Sequence, residues 1–175
     1  QWLKWRKTQL DSHSKTKISS SRLNRCLGND IINLFLGQLP MQVLEVGCGA
    51  GRFTEILLKY PAVNLTSTDL SLAVEANQMN FPQDNRHRIV QSDIMNSPFE
   101  DNAFDVVLCI GVIQHTPSPE KTIEKLLELV KPGGYLVIDH YTPEIKRLTK
   151  FTSLILRPVI KRLSATNRMS ICERL

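Results

Sequence analysis

The 175-residue chain has no pair of cysteines at C-x-x-C spacing. Its four cysteines, Cys26, Cys48, Cys109 and Cys172, stand far apart, so a zinc site is not expected and no metal is assigned. Reduced thiols in a cytoplasmic protein are the simplest reading. No apolar run approaches the length of a membrane span. No leader pattern opens the chain. It starts at Gln1 without a methionine, and that start is read as a fragment or a processed chain. The length bounds the chain to one domain, large enough to bury a sizeable core.

The formal net charge of +5 is unevenly spread. Residues 1–28 carry +6, residues 29–140 carry −7, and residues 141–175 carry +6. The middle is acidic and both flanks are basic. A nucleic-acid binder more often carries its basic stripe on the core, so no nucleic-acid partner is expected.

The stretch VLEVGCGAGRFTEILL, from Val43 to Leu58, holds the strongest signal. A strand-like run, Met41 to Val46, ends around Glu45. Gly47, Gly49 and Gly51 follow at alternate positions, and a helical pattern begins at Phe53. A glycine has no Cβ, so such a turn lets the backbone come close to a ligand. A strand, a glycine turn and a helix together build a nucleotide-type site at the carboxyl edge of a sheet. A dinucleotide fold would need G-x-G-x-x-G, and position 52 is Arg52. A nicotinamide cofactor is therefore not expected.

Further elements follow in order. Ala62 to Thr68 reads as a second strand, ending at Asp69, with a helix over Leu70–Asn77. A carboxylate one strand–helix–strand unit beyond the glycines can accept from both ribose hydroxyls. Asp69 can equally cap the next helix, and Ser71 would serve as that cap instead. Arg88 to Gln91 reads as a third strand, followed by Ser92-Asp93-Ile94. Phe104 to Ile110, FDVVLCI, is apolar enough to be buried on both faces. A helix over Pro119–Val130 runs into Lys131-Pro132-Gly133-Gly134, read as a helix stop before a fifth strand, Tyr135 to Asp139.

From Met41 to His140 the chain resembles class I S-adenosylmethionine-dependent methyltransferases of the ubiquinone/menaquinone-biosynthesis-like type. The residues that carry the resemblance are LEVGCGAGRFT, TDLS, SDIMNSPFEDNAFDVVLCIGVIQHTPSPEKTI and LVKPGGYLVI. The resemblance implies an α/β, Rossmann-like, doubly wound and mostly parallel sheet. It implies S-adenosylmethionine as cofactor and S-adenosylhomocysteine as product. The implied cofactor residues are Glu45, Gly47, Cys48, Gly49, Gly51, Asp69, Leu70, Asp93, Ile94, Cys109 and Gly111. Asp93 would accept from the adenine amino group, with the next residue packed on the ring. The implied partner is a small-molecule methyl acceptor with an oxygen, carbon or nitrogen nucleophile. A quinone precursor, a sugar or glycan intermediate, or another metabolite would fit. The fourth-strand segment IGVIQH lacks the Asn/Asp-Pro-Pro-aromatic motif of enzymes acting on DNA-base or glutamine nitrogens. Many relatives carry two adjacent histidines there, where this chain has Gln114 before His115. His115 follows the fourth strand and His140 the fifth, which makes both candidate general bases. The alternative reading is a non-catalytic S-adenosylmethionine-binding or scaffold module.

Three segments emerge: a basic lead-in over 1–28, the cofactor-binding core over 29–140, and a basic helical segment over 141–175. Trp2 and Trp5 read as an anchor against the core, with a lid over the cofactor as the alternative. Arg6 or Gln9 would then meet the methionine part, or Arg22 and Arg25 its carboxylate. Ser12 to Ser21 reads as a loop. The C-terminal segment reads as a helix packed on another part of the protein. Peripheral contact with an anionic membrane surface is the alternative. The class I fold has seven strands, and only five are found here. The chain is expected to stop inside an insertion before the last two.

Overall fold

The computed structural model describes residues 13–140 apart from Gln83. The Trp2, Trp5, Arg6 and Gln9 lead-in and the basic segment over 141–175 lie outside the described residues. The elements are α1 (His13–Leu36), β1 (Met41–Val46), α2 (Thr54–Leu57), β2 (Val63–Asp69), α3 (Ala73–Asn80), β3 (His87–Gln91), β4 (Phe104–Ile110), α4 (Pro119–Leu129) and β5 (Val130–Asp139). The five strands form one sheet in the order β3-β2-β1-β4-β5, and every neighbouring pair is parallel. This is the α/β, Rossmann-like sheet that the motif order implied.

Period-two alternation explains the two sides of the sheet. Val43, Leu65, Val106 and Leu108 face one cluster, with Leu23, Leu27, Ile31 and Phe35 of α1. Leu44, Val46, Val107 and Cys109 face the other, with Leu126 and Leu129 of α4. Strands covered on both sides have no polar face, which is why FDVVLCI reads as a continuous apolar run. Leu126 is fully buried in the second cluster. Leu126→Ala should lower the unfolding free energy by about 2–5 kcal/mol, read by denaturant titration.

Three local expectations need correction. The stretch expected as a loop, Ser12 to Ser21, is helical from His13 onward as part of α1. Ser19, Leu23, Leu27, Ile31 and Phe35 fall every four residues, one buried stripe that runs past the kink at Gly28. Ser19 is polar yet buried, because its hydroxyl accepts from Arg52 Nε at 2.7 Å. The helix expected over Leu70–Asn77 starts only at Ala73. A turn closed by Asp69 Oδ1 on the Ser71 N–H, at 2.9 Å, occupies the residues before it. The helix does end before Lys131-Pro132-Gly133-Gly134, at Leu129, but β5 starts at Val130 instead of Tyr135. The four residues form an irregular stretch of β5, where the register against β4 shifts between Phe104 and Val106. A Cβ on Gly134 would lie 2.6 Å from the Asp105 carbonyl oxygen, so close strand approach demands glycine there.

Candidate functional site

The strand order places the site. The chain leaves β1 toward β2 and later returns to β4 on the other side of β1. The loops after β1 and β4 therefore diverge, leaving a crevice at the carboxyl ends. Gly47 and Gly111 stand at its two lips, and both have positive φ, 75° and 77°. A pocket of about 360 Å³ opens between them. That is within the usual range for small-ligand sites.

Each wall is set by a strand end. From β2 come Thr68, Asp69 and Leu70, and from the loop after β3 come Ser92, Asp93 and Ile94. From the loop after β4 come Gly111, Val112, His115 and Thr116. Gly47 completes the first wall. Asp69 is aimed by its neighbours: the Gly49 N–H donates to Oδ2 at 2.9 Å, and the Ser71 N–H and hydroxyl donate to Oδ1 at 2.9 and 2.7 Å. Ser71 thus engages Asp69 instead of freeing it. An ionised carboxylate offers about four acceptor positions, and three are used. The remaining one is on Oδ2. A second opens if the Ser71 hydroxyl turns away. Asp93 Oδ1 accepts from the Met95 N–H at 3.0 Å, which leaves Oδ2 for a ligand donor. Ile94 is buried below, in the second core cluster, and supplies an apolar floor.

The three glycines of the turn differ. A Cβ on Gly47 would lie 2.1 Å from a Val112 methyl, and one on Gly51 would lie 2.3 Å from the Phe81 ring. Both glycines exist for packing. At Gly49 a Cβ would meet nothing within 4 Å, and φ is 52°. The turn is open at this point beside Asp69, although neither Gly49 nor Gly51 lines the large pocket itself.

Glu45 lies beneath the turn instead of in the pocket wall. It is 3% exposed. Thr54 Oγ1 and Ser67 Oγ donate to the same oxygen, Oε2, at 2.6 and 2.8 Å. Burial pushes its carboxyl up to about 7, against the opposing effect of those hydroxyl bonds. Asn77 Nδ2 donates to Thr54 Oγ1 at 3.0 Å, and Asn80 Nδ2 donates to the Ala50 carbonyl at 2.8 Å. This polar layer pins the glycine turn to α2 and α3. Cys48 and Cys109 are buried; desolvation raises both thiols, Cys109 to about 12. Neither lines the large pocket. His115 does, and is exposed; His140, the last described residue, does not.

Sequence reading missed Asp139 as a site residue. Its Oδ1 accepts from the Gly111 N–H at 2.5 Å, and its Oδ2 accepts from Arg22 Nε and Nη2 at 2.9 and 2.5 Å. The Arg22 guanidinium also lies 6.0 Å from the centroid of the Phe53 ring. This cluster joins α1 and β5 to the lip of the pocket. The available signal was position: like Asp69, Asp139 ends a parallel strand.

Comparison with known proteins bears on the same residues. Residues 44–138 match the methyltransferase domain family. The chain belongs to that family. The matched span runs from the middle of β1 to the last residues of β5 and so includes the glycine turn, Asp69, Asp93 and the β4 loop. The methyltransferase domain is similar to methyltransferase str2 of Strobilurus tenacellus, 31% identical over 137 residues, 78% of this chain and 46% of that protein. It is 35% identical over 97 residues to a ubiquinone biosynthesis O-methyltransferase of Coxiella burnetii, 54% of this chain and 41% of that protein. The chain thus spans less than half the length of these curated relatives. Among solved structures, the trans-methyltransferase CalH in complex with SAH shares the fold, with a TM-score of 0.55 and 24% identity over 62% of this chain and 34% of that one.

Proposed function

We propose that this methyltransferase domain binds S-adenosylmethionine and transfers its methyl group to a small-molecule acceptor. The observation that carries the reading is the convergence of Gly47, Asp69 and Asp93 on one pocket at the strand switch point, with the open Gly49 bonded to Asp69 beside it. The residues fit the cofactor. The open lone pair of Asp69, with a second released if the Ser71 hydroxyl turns away, suits a ribose diol, Asp93 Oδ2 and the apolar floor at Ile94 suit an adenine, and Gly49 leaves room for close approach. The CalH relative was solved with SAH, which supports the same ligand here. The name of the ubiquinone biosynthesis O-methyltransferase supports a small-molecule acceptor.

S-adenosylmethionine supplies a methyl group already activated on its sulfonium. The protein's share is alignment, and holding two reactants in line supplies much of the rate. Val112, His115 and Thr116 border the pocket on the β4 side, so the acceptor would enter there. His115 is the candidate base for a hydroxyl acceptor. His140 is a second candidate from the end of β5. Arg22 is the candidate partner for the cofactor's carboxylate, held ready by Asp139. A cytoplasmic location belongs to the same reading, supported by the buried thiols of Cys48 and Cys109. So does contact of the basic residues 141–175 with an anionic surface.

Calorimetric titration with S-adenosylhomocysteine tests the reading. Micromolar binding is expected. Its absence in a protein that retains its helical content removes the site assignment.

A further inference from the structure

Both hydroxyls that reach Glu45 donate to Oε2, and Oε1 is a buried atom with no hydrogen-bond partner. Glu45 lines a small cavity of about 10 Å³ together with Leu23, Gly47, Phe53 and Leu57. An ionised carboxylate there would leave half its charge unsolvated among apolar side chains, which favours the protonated acid in the free protein. The cavity is at the lower limit for a single water, so solvent offers the charge little relief. Asp69 adds a second negative charge from the end of β2 and pushes in the same direction. Gly47 lines this cavity and also the large pocket, so the carboxyl lies just behind the wall on which a ligand would rest.

On the far side, Ser67 Oγ bridges Glu45 to His87 Nε2, 3.0 Å away. The bridge follows from register: Ser67 pairs with Glu45 across β1 and β2, and His87 starts β3. Burial lowers the His87 imidazole, against the opposing charge of Asp84. The His87 imidazole is thus the second titratable group in the hydrogen-bonded chain that ends at Glu45.

We propose that Glu45 is a proton-linked support for the cofactor turn: binding of a ligand that carries an ammonium or sulfonium group drives the Glu45 carboxyl to release its proton. The inference rests on the cofactor reading given above. The step balances simply. The Glu45 O–H bond breaks, the electron pair stays on the carboxylate, and the proton goes to the buffer. The positive ligand supplies the compensation that the cavity lacks. Glu45 is a positioning residue, since Gly47 stands between it and the pocket.

The test is titration of the full chain with S-adenosylhomocysteine near neutral pH, in two buffers of different ionisation enthalpy. The difference in heat counts the protons released. A substantial fraction of one proton per ligand is expected. Glu45→Gln should still bind and should release none, and His87→Asn should still release. If Glu45→Gln does not fold, infrared difference spectroscopy of the wild type replaces it; a protonated-carboxyl band should vanish on binding. Binding without proton release overturns the inference and leaves the cofactor site standing. So does release lost in His87→Asn but kept in Glu45→Gln, because the histidine is then the source. Absence of binding in either buffer overturns the cofactor reading, and the inference with it.

Discussion

Asp69→Ala should weaken S-adenosylhomocysteine binding by about a hundredfold, on the order of 3 kcal/mol for hydrogen bonds to a charged group that go unmade. The estimate takes Asp69 as the acceptor for a vicinal diol, with one lone pair open on Oδ2 and a second released by rotation of Ser71. The substitution also removes the acceptor for the Gly49 N–H. Part of the loss would thus come from a looser turn. Asp69→Asn separates the two contributions. Its side-chain oxygen can still accept from Gly49 or from the ligand, but it carries no charge and has only one acceptor atom. An intermediate loss of about tenfold is expected, near 1.4 kcal/mol. Calorimetric titration gives both affinities, and circular dichroism controls for folding. An Asp69→Ala protein that binds as tightly as wild type would remove Asp69 from the site.

The legible parts of the fold were those where one physical cause dominates. FDVVLCI stands out because β4 is central and covered on both sides. The glycine turn and Asp69 stand out because unusual residue types mark strand ends. The missed parts depend on distant partners. Ser19 looks like a loop residue until Arg52, 33 positions away, satisfies its hydroxyl. The Arg22–Asp139 pair is separated by 117 positions, and no local pattern links its members. Lys131 to Gly134 does follow the helix end at Leu129, but Val130 already pairs with Phe104 of β4, so the four residues bulge between that pair and Val106–Tyr135, and Gly134 is set by close approach to Asp105. Glu45 is placed among the cofactor residues by the resemblance. Its side chain instead points to the Thr54 and Ser67 hydroxyls, an orientation set by the alternation along β1 that places Val43 on the same side. Asp93, Ile94 and Gly111 were assigned to the site by resemblance alone, and the structure brings them together around one pocket.

The three glycines of the turn should separate stability from binding. Gly47→Ala pushes a Cβ into Val112, with all three of its side-chain carbons within 3.3 Å. Gly51→Ala drives one into Phe81 at a φ of 102°. Each should cost about 1–3 kcal/mol in backbone strain, and crowding should add a further cost of about 1–3 kcal/mol. A visible fall in melting temperature follows for both. Gly49→Arg differs. Its φ of 52° lies in the left-handed region, which costs an L-residue only about 1–2 kcal/mol, and its Cβ meets no neighbour. The protein should fold with normal helical content, while the long cationic side chain fills the space beside Asp69. S-adenosylhomocysteine binding should then be lost. Gly49→Ala sets the reference: the same backbone cost, a small side chain, and binding weakened only modestly. Thermal melts and titrations of the four variants check the whole pattern. Retained binding in Gly49→Arg would show that the ligand does not lie along the open part of the turn. Full stability in Gly47→Ala would show that the lips formed by the β1 and β4 loops are not in the contact described here.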